Sequence, residues 1–248
     1  MPQVQFDVKG RVALVTGGGS GIGRAIALAL AGIGVDVAVM DKEPGRSAEV
    51  KGAIEQCGCR AFCTSGDVGQ SADIERLVSG VNSGLGPIDI LVNCAGIFPR
   101  GAVAEMSEAD WDRTFDTNIK GVFLASRAVV GTMIARKSGR ILSITSGLGT
   151  TGVPRGSNYA ATKGAINAFT RSLAKEVAND GINVNAIAPG LTDTPMMRGA
   201  NTPEYIQSMT NSMPGRRLGQ PDDAVGLALF LVSEGAKHIT GQVIALRG

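Results

Sequence analysis

The sequence has little aromatic content, and this shortage restricts the kind of core that it can build. Aromatic residues are 4% of the 248 residues, whereas hydrophobic residues make up 44%, enough for a large and mainly aliphatic core. The 35 glycines indicate many tight turns, because glycine adopts backbone conformations that other residues avoid. An aliphatic core with many turns favours an α/β protein over a β-sandwich.

Neither sign of charge dominates the sequence. The 24 lysines and arginines nearly balance the 22 aspartates and glutamates, which gives a net charge of +2, and no basic block stands out. Nucleic acids and anionic membrane surfaces bind to clustered basic residues. We therefore expect no nucleic acid and no membrane as a partner.

Long hydrophobic runs are also missing. The longest, residues 25–35, contains two glycines and is shorter than the roughly 20 residues that a membrane-spanning helix needs. Residues 1–6 lack the basic and apolar regions of a secretory signal. These features predict a cytoplasmic protein without a membrane span.

Metal ligands are scarce, since the sequence has only four cysteines and one histidine. Cys57, Cys59 and Cys63 cluster, but their spacing is not that of a zinc site, and His238 is remote from them. Cys94 stands alone. We predict free thiols and no metal site; a zinc site is the alternative that the cluster leaves open.

Short aliphatic runs alternate with longer amphipathic segments along the chain. Runs rich in Val and Ile that end at Gly, Asp or Asn are typical of buried parallel strands; they cover residues 12–15, 35–40, 60–63, 88–92, 140–144, 182–187 and 242–246. Helical patterns lie between them, at residues 21–31, 46–56, 72–81, 111–135, 158–178 and 222–232. The alternation predicts an α/β fold, a single doubly wound Rossmann-type domain over residues 1–248. It has a parallel sheet of about seven strands with helices on both faces.

One long segment, residues 189–221, shows no clear periodicity. Long irregular segments in compact domains often serve as lids, and flexible methionine side chains suit a substrate of variable shape. The methionines here are Met196, Met197, Met209 and Met213. We predict a mobile substrate lid over residues 191–215; the alternative is that the methionines fill gaps in the core. Arg198 is the only candidate for a carboxylate clamp in this lid, so we expect a neutral, moderately apolar substrate.

A glycine-rich loop follows the first predicted strand and leads into the first helix, with the sequence Thr-Gly-Gly-Gly-Ser-Gly-Ile-Gly over residues 16–23. Gly17, Gly21 and Gly23 let the backbone approach a phosphate without a Cβ clash, and the helix N-terminus directs free N–H groups at the anion. The alternative is a tight turn with no ligand. The position of the loop at the first strand–helix crossover favours a dinucleotide site.

Asp41 ends the second predicted strand, close to the offset of about 20 residues expected of a carboxylate that accepts hydrogen bonds from the adenosine ribose. Its charge repels a 2′-phosphate and therefore favours NAD over NADP. The loop position before Gly21 holds Ser20 rather than a basic residue. Lys42 is a neighbouring cation that partly offsets Asp41, so NADP stays the alternative.

Tyr159 and Lys163 lie one turn apart in a predicted helix, so their side chains share a face. A tyrosine pKa of about 10 is too high for a base at neutral pH, but a neighbouring ammonium and a bound nicotinamide cation lower the pKa of a phenol. Such a phenol exchanges a proton with a substrate oxygen while hydride moves to or from carbon. Taken alone, the same spacing is common on solvated helix faces.

The Gly-x-x-x-Gly-x-Gly loop together with Tyr-x-x-x-Lys resembles the short-chain dehydrogenase/reductase family, and the resemblance covers almost the whole chain. It implies that the cofactor is bound by Gly17, Ser20, Gly21, Ile22, Gly23, Asp41, Asp67, Val68, Asn93, Ala95, Gly96, Tyr159, Lys163, Pro189, Gly190, Thr192 and Thr194. Two departures stand out. Cys94 replaces the second asparagine of the family's Asn-Asn-Ala-Gly segment, and Leu-Arg-Gly at 246–248 stands where many relatives carry Val-Asp-Gly-Gly.

The resemblance also implies the catalytic roles. Tyr159 is the acid/base, Ser146 holds the substrate oxygen, and Lys163 binds the nicotinamide ribose. The backbone carbonyl of Asn118 holds a water in contact with the lysine. A homotetramer is implied as well, with helices 111–135 and 158–178 paired across two-fold axes.

The substrate is left open by this resemblance. The main hypothesis is an NAD-dependent enzyme acting on a small alcohol or ketone. The alternative is a 3-oxoacyl-thioester reductase that uses NADPH, which would need basic residues near the site; the candidates are Arg100, Arg155, Arg198, Arg216 and Arg217. A dinucleotide-binding sensor without turnover is the third hypothesis, and the complete set of catalytic residues argues against it.

Overall fold

A seven-stranded parallel sheet forms the centre of the computed structural model, which describes residues 6–246. The strands are β1 (Val12–Thr16), β2 (Asp36–Asp41), β3 (Ala61–Ser65), β4 (Ile90–Asn93), β5 (Gly139–Ile144), β6 (Ile182–Pro189) and β7 (Val243–Leu246). Their order across the sheet is β3-β2-β1-β4-β5-β6-β7, and each neighbouring pair is parallel. The predicted doubly wound Rossmann-type fold is confirmed.

Helices connect the strands and cover both faces of the sheet. They are α1 (Gly21–Gly32), α2 (Pro44–Gln56), α3 (Ser71–Gly84), α4 (Glu108–Phe115), α5 (Gly121–Arg136), α6 (Leu148–Thr151), α7 (Ser157–Val177), α8 (Pro195–Ala200), α9 (Pro203–Ser212) and α10 (Val225–Val232). Short 3₁₀ turns occupy Ala178–Asp180, Pro221–Ala224 and Glu234–Ala236. Within residues 6–246, no helix is both long and apolar enough to cross a membrane.

Two hydrophobic cores lie on opposite sides of the sheet. Along β1, Ala13 and Val15 contribute to the core shared with α1, α2 and α10. Val12 and Leu14 contribute to the core shared with α3, α5 and α7. Successive strand residues point to opposite faces, and because both faces are covered, the strands are mainly apolar on both sides. This burial explains why the aliphatic runs identify the strands.

The structure corrects the single helix predicted over residues 111–135. A π-helical turn, Asp116–Lys120, separates α4 from α5. The Asn118 side chain is held by the main chain of Ile97: its Oδ1 accepts from the Ile97 N–H at 2.8 Å, and its Nδ2 donates to the Ile97 carbonyl at 3.0 Å. Single π-turns of this kind inside α-helices are frequent at functional sites.

The segment 189–221 is also more regular than its sequence predicts. It contains α8 and α9, and each helix starts at a Thr-Pro pair. The Thr194 hydroxyl accepts a hydrogen bond from the Met197 N–H, and the Thr202 hydroxyl accepts one from the Tyr205 N–H, each at 3.2 Å. Threonine caps followed by proline are recognised helix starts, so this signal was present in the sequence.

Candidate active site

A cavity of about 1150 Å³ opens at the carboxyl ends of the strands, where parallel α/β sheets bind their ligands. One part lies against the glycine loop between β1 and α1 and the end of β2. The other part lies against the N-terminal end of α7, the loop after β4 and the segment with α8 and α9. The volume is sufficient for a dinucleotide with a small second ligand.

The glycine loop has room only for glycine at several positions. A Cβ at Gly17 would lie 2.6 Å from the Cα of Ala95, and a Cβ at Gly23 would lie 2.2 Å from the carbonyl oxygen of Gly17. Gly17 and Gly21 also have positive φ, 65° and 53°, which disfavours other residues. The loop therefore presents bare main chain and the N-terminus of α1 to the cavity, an arrangement that fits a phosphate.

Asp41 lies at the wall of the cavity next to this loop. Its carboxylate accepts hydrogen bonds from two main-chain N–H groups, of Gly19 at 3.0 Å and of Glu43 at 3.1 Å. The two N–H groups fix the carboxylate at the end of β2, where a ribose of the bound dinucleotide would reach it. The Lys42 ammonium lies 3.1 Å from an oxygen of Asp67, so its charge is directed to that carboxylate.

Tyr159 and Lys163 project from α7 into the same cavity as Ser146, which follows β5. The Lys163 ammonium donates to the Ile144 carbonyl at 2.8 Å and lies 5.4 Å from the centre of the Tyr159 ring. The Ser146 hydroxyl accepts a hydrogen bond from the N–H of Leu148 at 3.2 Å. Three of the four catalytic candidates, Ser146, Tyr159 and Lys163, are therefore brought together in one cavity.

Burial governs the protonation of Tyr159 and Lys163. It raises the pKa of Tyr159 to about 12, although a hydrogen bond with Ser146 acts in the opposite direction. It lowers the pKa of Lys163 to about 8, because an ammonium loses its hydration. The sequence predicted a phenol pKa lowered by Lys163 together with a bound nicotinamide cation. In the protein alone the pKa of Tyr159 moves the other way, since desolvation outweighs the hydrogen bond with Ser146.

Three of the predicted site residues are outside the cavity wall. Gly23 packs against the main chain of Gly17. Asn93 is buried, and its Nδ2 donates to the Ser126 hydroxyl at 3.4 Å. Asn118 is fully buried, and its Nδ2 also donates to the Thr162 hydroxyl at 3.1 Å. Those that line the cavity are Gly17, Ser20, Gly21, Ile22, Asp41, Asp67, Val68, Ala95, Gly96, Ser146, Tyr159, Lys163, Pro189, Gly190, Thr192 and Thr194.

The structure adds cavity residues that sequence reasoning did not place there. The Phe98 ring stacks on the Tyr159 ring, with centroids 4.2 Å apart. Arg46, at the start of α2, lies beside Gly19, where an added Cβ would be 2.7 Å from the Arg46 Cβ. Arg100 also lines the cavity; the sequence offered it only as one of five unplaced arginines.

Of the five candidate arginines, Arg100 alone lines the cavity. Three of them form ion pairs with carboxylates close in sequence or space: Arg155 with Glu105, Arg198 with Asp193 and Arg217 with Asp223. Arg216 is exposed and does not line the cavity. Within residues 6–246, no group of three His, Cys, Asp or Glu side chains is arranged to hold a metal ion.

Comparison with known proteins agrees with this geometry. The sequence profile of the short chain dehydrogenase family matches residues 11–204. The chain is 37% identical to the (2S)-((R)-hydroxy(phenyl)methyl)succinyl-CoA dehydrogenase subunit BbsD of Thauera aromatica, over 97% of this chain and 96% of that protein. It is 37% identical to the 3-oxoacyl-(acyl-carrier-protein) reductase FabG of Staphylococcus epidermidis, over 95% and 97%. The crystal structure of levodione reductase superposes with a TM-score of 0.92 at 30% identity, covering 97% of each chain.

The chain therefore belongs to the short-chain dehydrogenase family. Members of this family are oxidoreductases that act on CH–OH or keto groups and bind a nicotinamide dinucleotide. The glycine loop and the cavity described above fit such a cofactor.

Proposed function

We propose that this protein is an NAD-dependent oxidoreductase that interconverts a small alcohol and the corresponding ketone, with Tyr159 as its acid/base. The observation that carries the proposal is that Tyr159, Lys163 and Ser146 line one cavity together with a glycine loop in which an added Cβ would clash with main-chain atoms. The phenol and the glycine loop line the same cavity, which supports a reaction between the phenol and a substrate beside the nicotinamide of a bound cofactor.

The proposed chemistry divides the work between cofactor and protein. The bound nicotinamide supplies or accepts the hydride. The Tyr159 phenol donates a proton to the carbonyl oxygen during ketone reduction and takes it back during alcohol oxidation. Its raised pKa makes it a proton donor at neutral pH before the cofactor binds. The Ser146 hydroxyl orients the substrate oxygen.

Lys163 holds a positive charge near the phenol. With a pKa of about 8, most of it is protonated at neutral pH, so its ammonium favours the phenolate when alcohol is oxidised. The stacked Phe98 ring also fixes the orientation of the phenol. Asn118 supports the position of these residues indirectly, because it holds the loop after β4 through its hydrogen bonds with Ile97.

The preference for NAD rests on Asp41. A carboxylate fixed by two main-chain N–H groups accepts hydrogen bonds from ribose hydroxyls and repels a 2′-phosphate. The neighbouring cations act against this preference, but Lys42 is paired with Asp67. Arg46 is then the cation that would favour NADP once the carboxylate is removed.

A 3-oxoacyl-thioester reductase is the second candidate function. It is favoured by the two relatives described above, whose names specify a CoA ester and an acyl-carrier-protein substrate. Of the five candidate arginines, Arg155, Arg198 and Arg217 are already paired with carboxylates and only Arg100 lines the cavity, so we favour the small substrate.

Further features belong to the same proposal. Residues 191–215 form the substrate lid, with Met196 and Met209 partly exposed and Met197 buried.

We also propose a cytoplasmic homotetramer that pairs α4, α5 and α7 across two-fold axes. Light scattering that shows a monomer at micromolar concentration would contradict the assembly.

A matrix of substrates and cofactors tests the proposed function. Alcohols, ketones and 3-oxoacyl thioesters are each combined with NAD(H) and NADP(H), and turnover is followed by the absorbance of reduced nicotinamide. We expect turnover of alcohols and ketones with NAD(H). Turnover confined to thioesters with NADPH would establish the second candidate, and binding without turnover would indicate a sensor.

A further inference from the structure

We propose that Arg100 binds an anionic oxygen group, a carboxylate or a phosphate, on the substrate. This inference rests on the proposed function, because it concerns what else the substrate carries besides its alcohol or keto group. It replaces the expectation of a neutral substrate, which considered basic residues only within the lid.

Aromatic rings connect Arg100 to the proposed acid/base. Its guanidinium carbon lies 5.1 Å from the centre of the Phe98 ring and 4.8 Å from that of Tyr205 in α9. Phe98 in turn stacks on Tyr159 at 4.2 Å. The four side chains form a continuous stack from the proposed acid/base to the lid, and all four line the cavity.

The loop that carries Arg100 is also fixed. The Pro99 carbonyl accepts a hydrogen bond from Nδ2 of Asn158 at 3.1 Å, and the Gly101 N–H donates to the Arg155 carbonyl at 3.1 Å. Asn158 directly precedes Tyr159, so the arginine and the phenol are positioned by the same end of α7. A guanidinium held this way binds an anion with little loss of side-chain freedom.

Arg100 is the cation at this end of the cavity that lacks a partner. Throughout residues 6–246 it makes no ion pair and no hydrogen bond, and its Nε is buried without a partner. Arg113, a second arginine in the wall, lies 2.7 Å from an oxygen of Asp110. The acidic residues of the cavity wall, Asp41, Glu43 and Asp67, all lie at the far end, beside β2 and β3.

Ring contacts leave the hydrogen-bonding capacity of the guanidinium unused. Cation–π attraction acts on the face of the group, whereas its N–H donors point outward in the plane and match the oxygens of a carboxylate or phosphate. A buried N–H without a partner is unfavourable. An anionic group on the substrate would satisfy the donors and balance the charge.

The test uses pairs of compounds that differ in charge at one position. The first arm compares 3-oxobutanoate, 4-oxopentanoate and 5-oxohexanoate with their methyl esters. The second compares 3-oxobutanoyl-CoA with the N-acetylcysteamine thioester of the same acid, which lacks the phosphates. A preference in the first arm identifies a carboxylate as the group bound, and a preference in the second identifies a phosphate.

Arg100→Met removes the charge and keeps much of the apolar stem. We expect kcat/KM for the preferred anionic compound to fall about 10- to 100-fold, mainly through KM, since a hydrogen bond to a charged group is lost in ground state and transition state alike. The neutral partner should lose much less, and Arg100→Lys should fall between. Arg217→Met is the matched control, because Arg217 is exposed and paired with Asp223.

Binding provides a second readout that needs no turnover. Calorimetry measures the affinity of each pair for protein saturated with oxidised NAD, a mixture in which an oxo compound cannot react. Charge-dependent binding that Arg100→Met abolishes supports the inference, even if no compound is turned over and the proposed function fails. Turnover without preference for an anion in either arm, or a preference that survives Arg100→Met, overturns the inference and leaves the proposed function intact.

Discussion

Replacing Lys163 by methionine should change how the stability of the protein depends on pH. Burial lowers the pKa of this ammonium from 10.5 to about 8, whereas an unfolded lysine has a pKa of about 10.4. Between these values the unfolded chain binds a proton that the native protein has released. Linkage then requires the free energy of unfolding to rise with pH in this window.

The size of the effect follows from the shift. One pKa unit corresponds to about 1.4 kcal/mol, so Lys163 raises the free energy of unfolding by on the order of 3 kcal/mol across the window. Below the folded pKa of about 8 this gain is absent, because both states are protonated there. Burial raises the pKa values of Tyr159 and Cys94 to about 12 and about 11. The Lys163 charge lowers the pKa of Cys94, so removing it leaves both groups mainly protonated in the native state throughout the window, and their contributions differ little between wild type and variant.

Urea denaturation of the protein without added cofactor measures the pH dependence of the free energy of unfolding directly. Wild type and Lys163→Met are compared at a series of pH values from about 7 to about 10.5, with Lys175→Met, an exposed lysine of α7, as the matched control. The stability of wild type relative to Lys163→Met should increase with pH. A difference that stays flat or decreases would refute the assignment of a buried, destabilised ammonium at this position.

Three further predictions follow from the cofactor site and the lid. Asp41→Ser should weaken NAD binding about 10- to 100-fold and improve NADP, and adding Arg46→Met should cancel the improvement; steady-state kinetics in which wild type already prefers NADP would contradict this. Gly23→Ala should lower the free energy of unfolding by about 1–3 kcal/mol, because its Cβ would lie 2.2 Å from a main-chain oxygen. Gly32→Ala, where an added Cβ meets nothing within 4 Å, should not destabilise, and equal loss in both variants would reject the steric argument. Saturating NAD with a substrate analogue should slow proteolysis within residues 191–215, and equal cleavage rates with and without ligands would remove the lid from the account.

The strands and the glycine loop could be predicted because local sequence determines them. Parallel strands buried on both faces are continuous aliphatic runs, and the loop needs glycine wherever a Cβ would meet main chain, as at Gly17 and Gly23. The spacing of Tyr159 and Lys163 places them on one face of a helix whatever surrounds that helix. These features needed no knowledge of contacts between distant residues.

The remaining features depend on such contacts. The sequence of the π-turn has the ordinary pattern of an α-helix. What distinguishes this turn is the hydrogen bond between Asn118 and Ile97, which are 21 residues apart in sequence. The position of Arg100 depends on rings from the loop after β4 and from α9. The raised pKa of Tyr159 comes from burial, which the spacing of a tyrosine and a lysine does not reveal.

The central claim is that Tyr159 carries the proton. The most direct measurement is single-turnover hydride transfer by Tyr159→Phe, followed by nicotinamide absorbance, together with the affinity of the variant for NAD. Tyr205, the other tyrosine of the chain, provides the control Tyr205→Phe, which keeps the ring that contacts Arg100. We predict that Tyr159→Phe slows hydride transfer at least about 100-fold while NAD affinity hardly changes and Tyr205→Phe has a much smaller effect. A rate within about tenfold of wild type, or ~1.4 kcal/mol in the barrier, would contradict the claim.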